Sequence, residues 1–198
     1  MTRAGLTINL HNFSSRDSKH LTTSLKQNSI GESHEGVQPN YFLLKSEPSE
    51  FSILDLEKKV TEEWDGVRNF EARNIMRTMK IGDRCLFYHS NCKKPLGPGI
   101  VGTAKILREA IPDKTAIDPT HKNHDPKSTS IDNCRWDSVL VEFESKFPFV
   151  ILLKDLKAEA KQYPHGVIAS MDLLHRNRLS ISRVSPEQWD SILSRIDL

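Results

Sequence analysis

Past residue 40 the apolar residues of this chain come in short runs, and no run is followed by another at a regular spacing. Tyr41-Phe42-Leu43-Leu44, residues 85–89 and 100–107, and the alternating stretches 138–144 and 179–184 have the length and side-chain character of strands. The helical patterns between them are equally short, so the alternation of strand and long helix that a doubly wound parallel sheet requires cannot be written. What fits is an α+β domain: a small, curved, mostly antiparallel sheet or open barrel with short helices around it. No apolar run approaches the roughly 18 residues of a membrane-crossing helix. The longest, 147–153, contains Pro148.

Local signals place the helices. Ser52 with Asp55 reads as a capping box, and Ile53, Leu54, Leu56 and Val60 follow as an apolar face. Asn69 can cap a second helix whose core face is Phe70, Ala72, Ile75, Met76 and Met79, with a turn at 80–83. A short helix is expected over 153–160. Ser185-Pro186-Glu187-Gln188 opens the last one with a cap, a proline at the first position and a glutamine at the third. Residues 110–137 are polar, with prolines at 112, 119 and 126, and read as one long loop. A loop of that length inside a domain is either functional or disordered.

Residues 1–39 differ from the rest: rich in Ser, Thr, Asn and His and poor in large apolars, they read as a disordered tail ahead of a domain at 40–198. Their scarce acids and scattered basic residues also fit an organellar transit peptide. Cys85, Cys92 and Cys134 form no paired framework and read as free thiols of a reducing compartment. A net charge of +2 excludes a polycation but not a local basic face. Two clusters offer one: Arg68, Arg73, Arg77, Lys80 and Arg84, and Arg176, Arg178 and Arg183. Each is also readable as solvated helix and strand positions.

The chemistry-bearing motifs narrow the choice. There is no P-loop, and Gly97-Pro98-Gly99-Ile100-Val101-Gly102 lacks the spacing and context of a dinucleotide fingerprint. His89 with Cys92, and His121 with His124 near Cys134, are unequal pairs without the regular spacing of a zinc site, so neither metal nor cofactor is expected. Lys45 and Glu47 share one side of a strand, with Ser46 opposite, as an acid–base pair or a surface ion pair. Trp64-Asp65-Gly66-Val67-Arg68-Asn69 is either a turn before a capped helix or one wall of a binding site. An aromatic beside short polar groups at strand ends (Ser46, His89, Ser90, Asn91) suits a planar heterocycle, which stacks on the ring and pairs at its edge.

Four stretches go further. Tyr-Phe-Leu-Leu-Lys-Ser-Glu-Pro at 41–48, Trp-Asp-Gly-Val-Arg-Asn-Phe-Glu-Ala-Arg-Asn at 64–74, Phe-Tyr-His-Ser-Asn-Cys at 87–92 and Arg-Leu-Ser-Ile at 178–181 together resemble the EVE domain family. The resemblance implies a PUA-like fold and a nuclear reader that holds a flipped-out modified base in a pocket, in particular 5-methyl- or 5-hydroxymethylcytosine in DNA. RNA is the alternative target, and the mitochondrion the alternative site of action. On matching positions the pocket would be built from Lys45, Ser46 and Glu47, from Trp64, Val67, Arg68 and Asn69, from Tyr88, His89, Ser90 and Asn91, and from Arg178, Leu179 and Ser180. Trp136 matches a family tryptophan that follows the long loop. The resemblance implies no catalytic residue, no membrane association and a monomer. One departure stands out: relatives read His-Tyr-Asp-Pro in the loop, and this chain reads Asn123-His124-Asp125-Pro126, without the tyrosine. Two other readings remain beside the base reader. One is an amidohydrolase using Lys45 and Glu47, as proposed for some ASCH proteins; the other is a protein-interaction module whose pocket is filled by its own side chains.

Overall fold

The first strand, β1 (Tyr41–Ser46), carries Phe42, Leu43 and Leu44 in succession, and all three are fully buried. A strand apolar on both sides must lie inside a sheet covered on both faces, and β1 does. It pairs in parallel with β3 (Arg84–His89) and antiparallel with β6 (Ile181–Val184). The remaining strands are β2 (Thr61–Trp64), β4 (Gly99–Pro112) and β5 (Asp137–Leu152), and the six-stranded order is β2-β5-β4-β3-β1-β6. The computed structural model describes residues 38–92 and 97–196. The expected disordered tail and transit peptide fall outside the described residues, except for Gln38 and Pro39.

Successive residues of β1 and β3 point to opposite faces and so feed two cores. Phe42, Leu44, Cys85 and Phe87 join Leu56 of α1 (Ile53–Lys59), Met76 of α2 (Phe70–Met76), Trp64 and Ile106 on one face. Leu43, Leu86 and Tyr88 face the other way. There they meet Leu156 of α4 (Leu153–Gln162), Leu173 of α5 (Asp172–His175), and Trp189 and Ile192 of α6 (Pro186–Leu193). One four-residue helix, α3 (Lys114–Ile117), lies between β4 and β5.

The caps form as their residues dictate. Ser52 and Ser185 make complete capping boxes with Asp55 and Gln188, and the Asn69 side chain accepts from the Glu71 and Ala72 N–H groups. The turn at 80–83 is closed by the buried Asp83 carboxylate, which accepts from the Lys80 and Asn40 N–H groups at 2.8 Å. This bond fixes where β1 begins.

Several boundaries differ from the sequence reading. β2 was not expected: Thr61-Glu62-Glu63-Trp64 carries two acids, which an edge strand pairing only with β5 leaves to solvent. β4 and β5 run on together well past the expected ends, their pairing interrupted by register shifts that bend and twist the pair. The long loop therefore shrinks to 113–136, and it is ordered. The strand expected from 179 starts at Ile181, and α5 and a 3-10 turn at Ile168–Ser170 precede it.

On β4, Gly102 leaves room for the neighbouring backbone of β5. A Cβ there would press on the Ser145 carbonyl and stand 3.1 Å from Ile53 Cδ1. Gly102→Ala is expected to destabilise the domain by about 1–3 kcal/mol, read by urea unfolding. An unchanged unfolding free energy would mean the two strands separate freely at this point.

Candidate functional site

Because β1 and β3 run parallel, their C-terminal ends leave the sheet on the same side, with Lys45 beside Tyr88 and Ser46 beside His89. Main-chain bonds then knit the segments that follow. The Ser90 N–H donates to the Ser46 carbonyl at 2.8 Å, and the Lys45 N–H to the Ser180 carbonyl at 2.9 Å. Asn91, held in the left-handed region at φ 50°, turns its amide onto the Glu47 carboxylate at 3.1 Å. The Ser46 hydroxyl donates to the Phe51 carbonyl at 2.6 Å, and the Lys45 ammonium to the Arg176 carbonyl at 3.2 Å. Burial pushes the Lys45 pKa down, against the pull of nearby Asp172. His89 accepts the Ile53 N–H at Nε2 (3.0 Å), and burial, opposed by Asp55, lowers its pKa; both favour the neutral ring. Lys45 and Glu47 are engaged with different partners, so the acid–base pair expected of a hydrolase is not assembled.

The turn at 64–69 is held from behind by one buried acid. Asp113, fully buried, accepts from the Gly66 N–H at 3.0 Å and from the Arg68 guanidinium at 2.8 Å, while also capping α3 through the Thr115 N–H at 2.8 Å. Gly66 takes φ +69°, a conformation open to glycine. Arg68 spends its remaining donors on the Asn123 carbonyl and the Thr115 hydroxyl. It is a strut across the loop rather than an arm for phosphates, which corrects the reading of Arg68 as part of a basic face. Burial would raise the Asp113 carboxyl, but the bonds from Thr115, Arg68 and Gly66 together outweigh it and hold it below the usual carboxylate range.

Two aromatics lie elsewhere than the motif order suggests. Trp64 is 8% exposed, edge-on to Phe87 with centroids 5.5 Å apart, and Val67 packs into the same core. Tyr88 points to the opposite face of the sheet, where burial lifts its hydroxyl pKa to about 12. Alternation along β3 thus separates Tyr88 from Trp64. Trp136 is also buried, its indole N–H donating to Asp125 at 2.6 Å and its ring stacked on Phe70 at 4.7 Å.

An open groove of about 340 Å³ lies between the start of α2 and the segment joining α5 to β6. Asn69, Glu71, His175, Arg176, Arg178 and Leu179 line it. A two-pronged Arg176–Glu71 ion pair ties its sides together. Leu179 is buried, whereas Arg178 is exposed and, among the described residues, its guanidinium has no hydrogen-bond or ion-pair partner. Of the positions singled out in the sequence, Asn69, Arg178 and Leu179 line the groove, Lys45 is bonded to its residue Arg176 and Ser180 to Lys45, and Ser46, Glu47, His89, Ser90 and Asn91 are not among the lining residues. Glu71, His175 and Arg176 were missed, although Glu71 sits inside the 64–74 motif and Arg176 inside a basic cluster. His124, at the one departure from the expected loop pattern, bonds the Ala116 carbonyl at 3.0 Å and is not among the groove residues.

A mixed, open six-stranded sheet with helices on both faces is the architecture of a PUA-like domain. The chain belongs to the EVE domain family, whose model matches residues 40–195. It is 43% identical over 168 residues to thymocyte nuclear protein 1 of Mus musculus, covering 78% of this chain and 73% of that protein. A hypothetical protein from Leishmania major superposes with a TM-score of 0.73 at 42% identity, covering 81% and 96% of the two chains. Human THYN1 in complex with DNA containing 5-methylcytosine superposes with a TM-score of 0.75 at 39% identity, covering 81% and 99%.

Two variants test this arrangement. Asp113→Asn is expected to cost about 3 kcal/mol at neutral pH. A carboxyl depressed in the folded state stabilises above its ordinary value near 3.8 and loses that contribution as pH falls through the lower folded value. The gap between variant and parent should therefore close on acidification below about pH 4, read by urea unfolding at several pH values; a gap constant with pH would overturn the assignment. Trp64→Ala is expected to destabilise by about 3–5 kcal/mol through its core cavity, read by thermal unfolding, where an unchanged transition would mean that the ring is not part of the core.

Proposed function

We propose that this chain is a nuclear reader of modified cytosine in DNA, a binding protein rather than an enzyme, which holds a flipped-out base at the groove between Asn69 and Arg178. The observation that carries the reading is the groove between the α2 cap and residues 175–179, backed by Lys45 at the end of β1, in a chain 39% identical to a protein in complex with DNA containing 5-methylcytosine. Its volume is at the small end of the roughly 300–1,000 Å³ typical of ligand sites, which suits a single pyrimidine ring.

The donors and acceptors match a cytosine edge. Cytosine presents an amino donor and ring acceptors, so its reader needs one acceptor and several donors. Asn69 uses its side-chain oxygen on the helix cap, which leaves its amide donors; Arg178 adds a planar set of five. Glu71 and the backbone carbonyls supply acceptors. Leu179 gives an apolar wall for a 5-methyl group, and the surrounding polar groups suit a hydroxymethyl group as well. In this reading Trp64, Val67, Arg68, Tyr88 and Trp136 hold the surrounding fold in place, Lys45 and Ser180 tie the groove to β1, and Ser46, Glu47, His89, Ser90 and Asn91 brace the adjoining strand ends. The names of the relatives support a nuclear site of action.

The test is fluorescence anisotropy with duplexes carrying one central cytosine, 5-methylcytosine or 5-hydroxymethylcytosine. The modified duplexes should bind more tightly. Arg178→Ala should weaken modified-duplex binding about tenfold and narrow the discrimination, with unfolding free energy within about 0.5 kcal/mol of the parent, as for an exposed side chain without partners. Equal affinity for all three duplexes would overturn the proposal.

A further inference from the structure

Beside the groove, one face of α2 carries a stripe that the base-binding reading does not use. Phe70, Arg73 and Arg77 stand three and seven positions apart and so share that face. Phe70 is 48% exposed, an unusual position for a phenylalanine whose ring is already fixed by stacking on Trp136. The Arg73 and Arg135 guanidinium carbons lie 4.8 and 5.1 Å from its centroid.

The charges are not balanced among themselves. Arg77 is paired with Asp137 at 2.6 Å, and Arg135 is only 3.6 Å from Asp125, whose carboxylate also receives the Trp136 indole. Arg73 bonds the Arg135 carbonyl at 2.7 Å and the Asn74 side chain, and among the described residues it has no carboxylate partner. Three guanidiniums thus face two carboxylates. Burial and the neighbouring Arg77 and Arg135 charges push the Arg73 pKa down, with Asp137 opposing. An anion laid on the stripe would relieve that crowding.

We infer that the Phe70–Arg73–Arg77–Arg135 stripe is a second DNA-contact surface, taking the backbone phosphates of the strand that flanks the base held in the groove. Phe70 packs its exposed ring on the adjoining nucleotide, and the fixed guanidiniums meet phosphate oxygens in their own plane. The inference rests on the base-reading proposal for its choice of partner. The stripe's role differs from that of the groove, because phosphate contacts set position and affinity and carry no information about the base modification. Asn69 and Glu71 of the groove adjoin Phe70 directly, so one strand can run from groove to stripe.

The experiment is a salt titration of binding to matched duplexes with a central 5-methylcytosine or cytosine. It compares the parent with Arg73→Gln/Arg135→Gln, with Arg73→Lys/Arg135→Lys, and with Phe70→Ala, and checks folding of each by thermal unfolding. The glutamine pair should reduce affinity for both duplexes by the same factor and flatten the log–log salt dependence by about 1 for each charge removed, leaving the preference for 5-methylcytosine intact. The lysine pair should restore the salt slope. Phe70→Ala should weaken both duplexes equally without changing the slope. A folded glutamine pair with an unaltered salt slope would overturn the inference. Equal binding of the two duplexes by the parent would instead overturn the base reading, and the slope change would still decide the stripe.

Discussion

The buried Asp113 carboxylate is the point on which the site geometry depends. It lies at the junction of β4 and α3, yet its bonds reach back to Gly66 and Arg68 in the turn before α2 and forward to Thr115. A carboxylate taken out of water is tolerable only when its oxygens are fully occupied, and here backbone, hydroxyl and guanidinium donors occupy them. The turn is thereby locked to the loop at 113–136, and with it the direction of α2. Asn69 faces the groove because Asp113 holds the residues just before it.

A second constraint comes from the sheet. β1 and β3 are buried on both faces, so their interior residues contribute to one core or the other, and these two strands present polar groups only where they end. The candidate positions read from the sequence sit at such ends: Lys45 to Glu47 at the end of β1, His89 to Asn91 at the end of β3, and Arg178 to Ser180 before β6. The parallel pairing of β1 and β3 brings the first two sets to the same edge, and the antiparallel β6 returns the third.

Much of this was legible in the residues themselves. Caps depend on side chains within three positions of one another, so Ser52, Asn69 and Ser185 announce their helices without help from the rest of the fold. The apolar run 41–44 and the alternation in 138–144 declare strands for the same local reason, and the four EVE-like stretches identify the family. What the chain hid was non-local. β2 is disguised by Glu62 and Glu63 because its stability comes from pairing with β5. Nothing at position 113 marks an aspartate that will be fully buried. Trp64 and Tyr88 look alike as candidate stacking rings until the sheet assigns them to opposite faces. Arg68 reads as a surface charge because its partners lie some fifty residues onward. The groove itself was half visible: Asn69, Arg178 and Leu179 fall in the motifs, while Glu71 and Arg176 line it by pairing across two segments far apart in sequence.

The bond from the Lys45 N–H to the Ser180 carbonyl joins the first strand of the domain to the approach to the last one. Its consequence is one of timing. During synthesis β1 leaves the ribosome early, and it waits with one edge unpaired until nearly the whole domain has followed. The groove has only one wall until then. A chain halted before β6 is not a weakened version of this protein but one whose segment 175–179 has no strand to anchor it, so the groove takes its shape with the last strand, in one step with completion of the sheet.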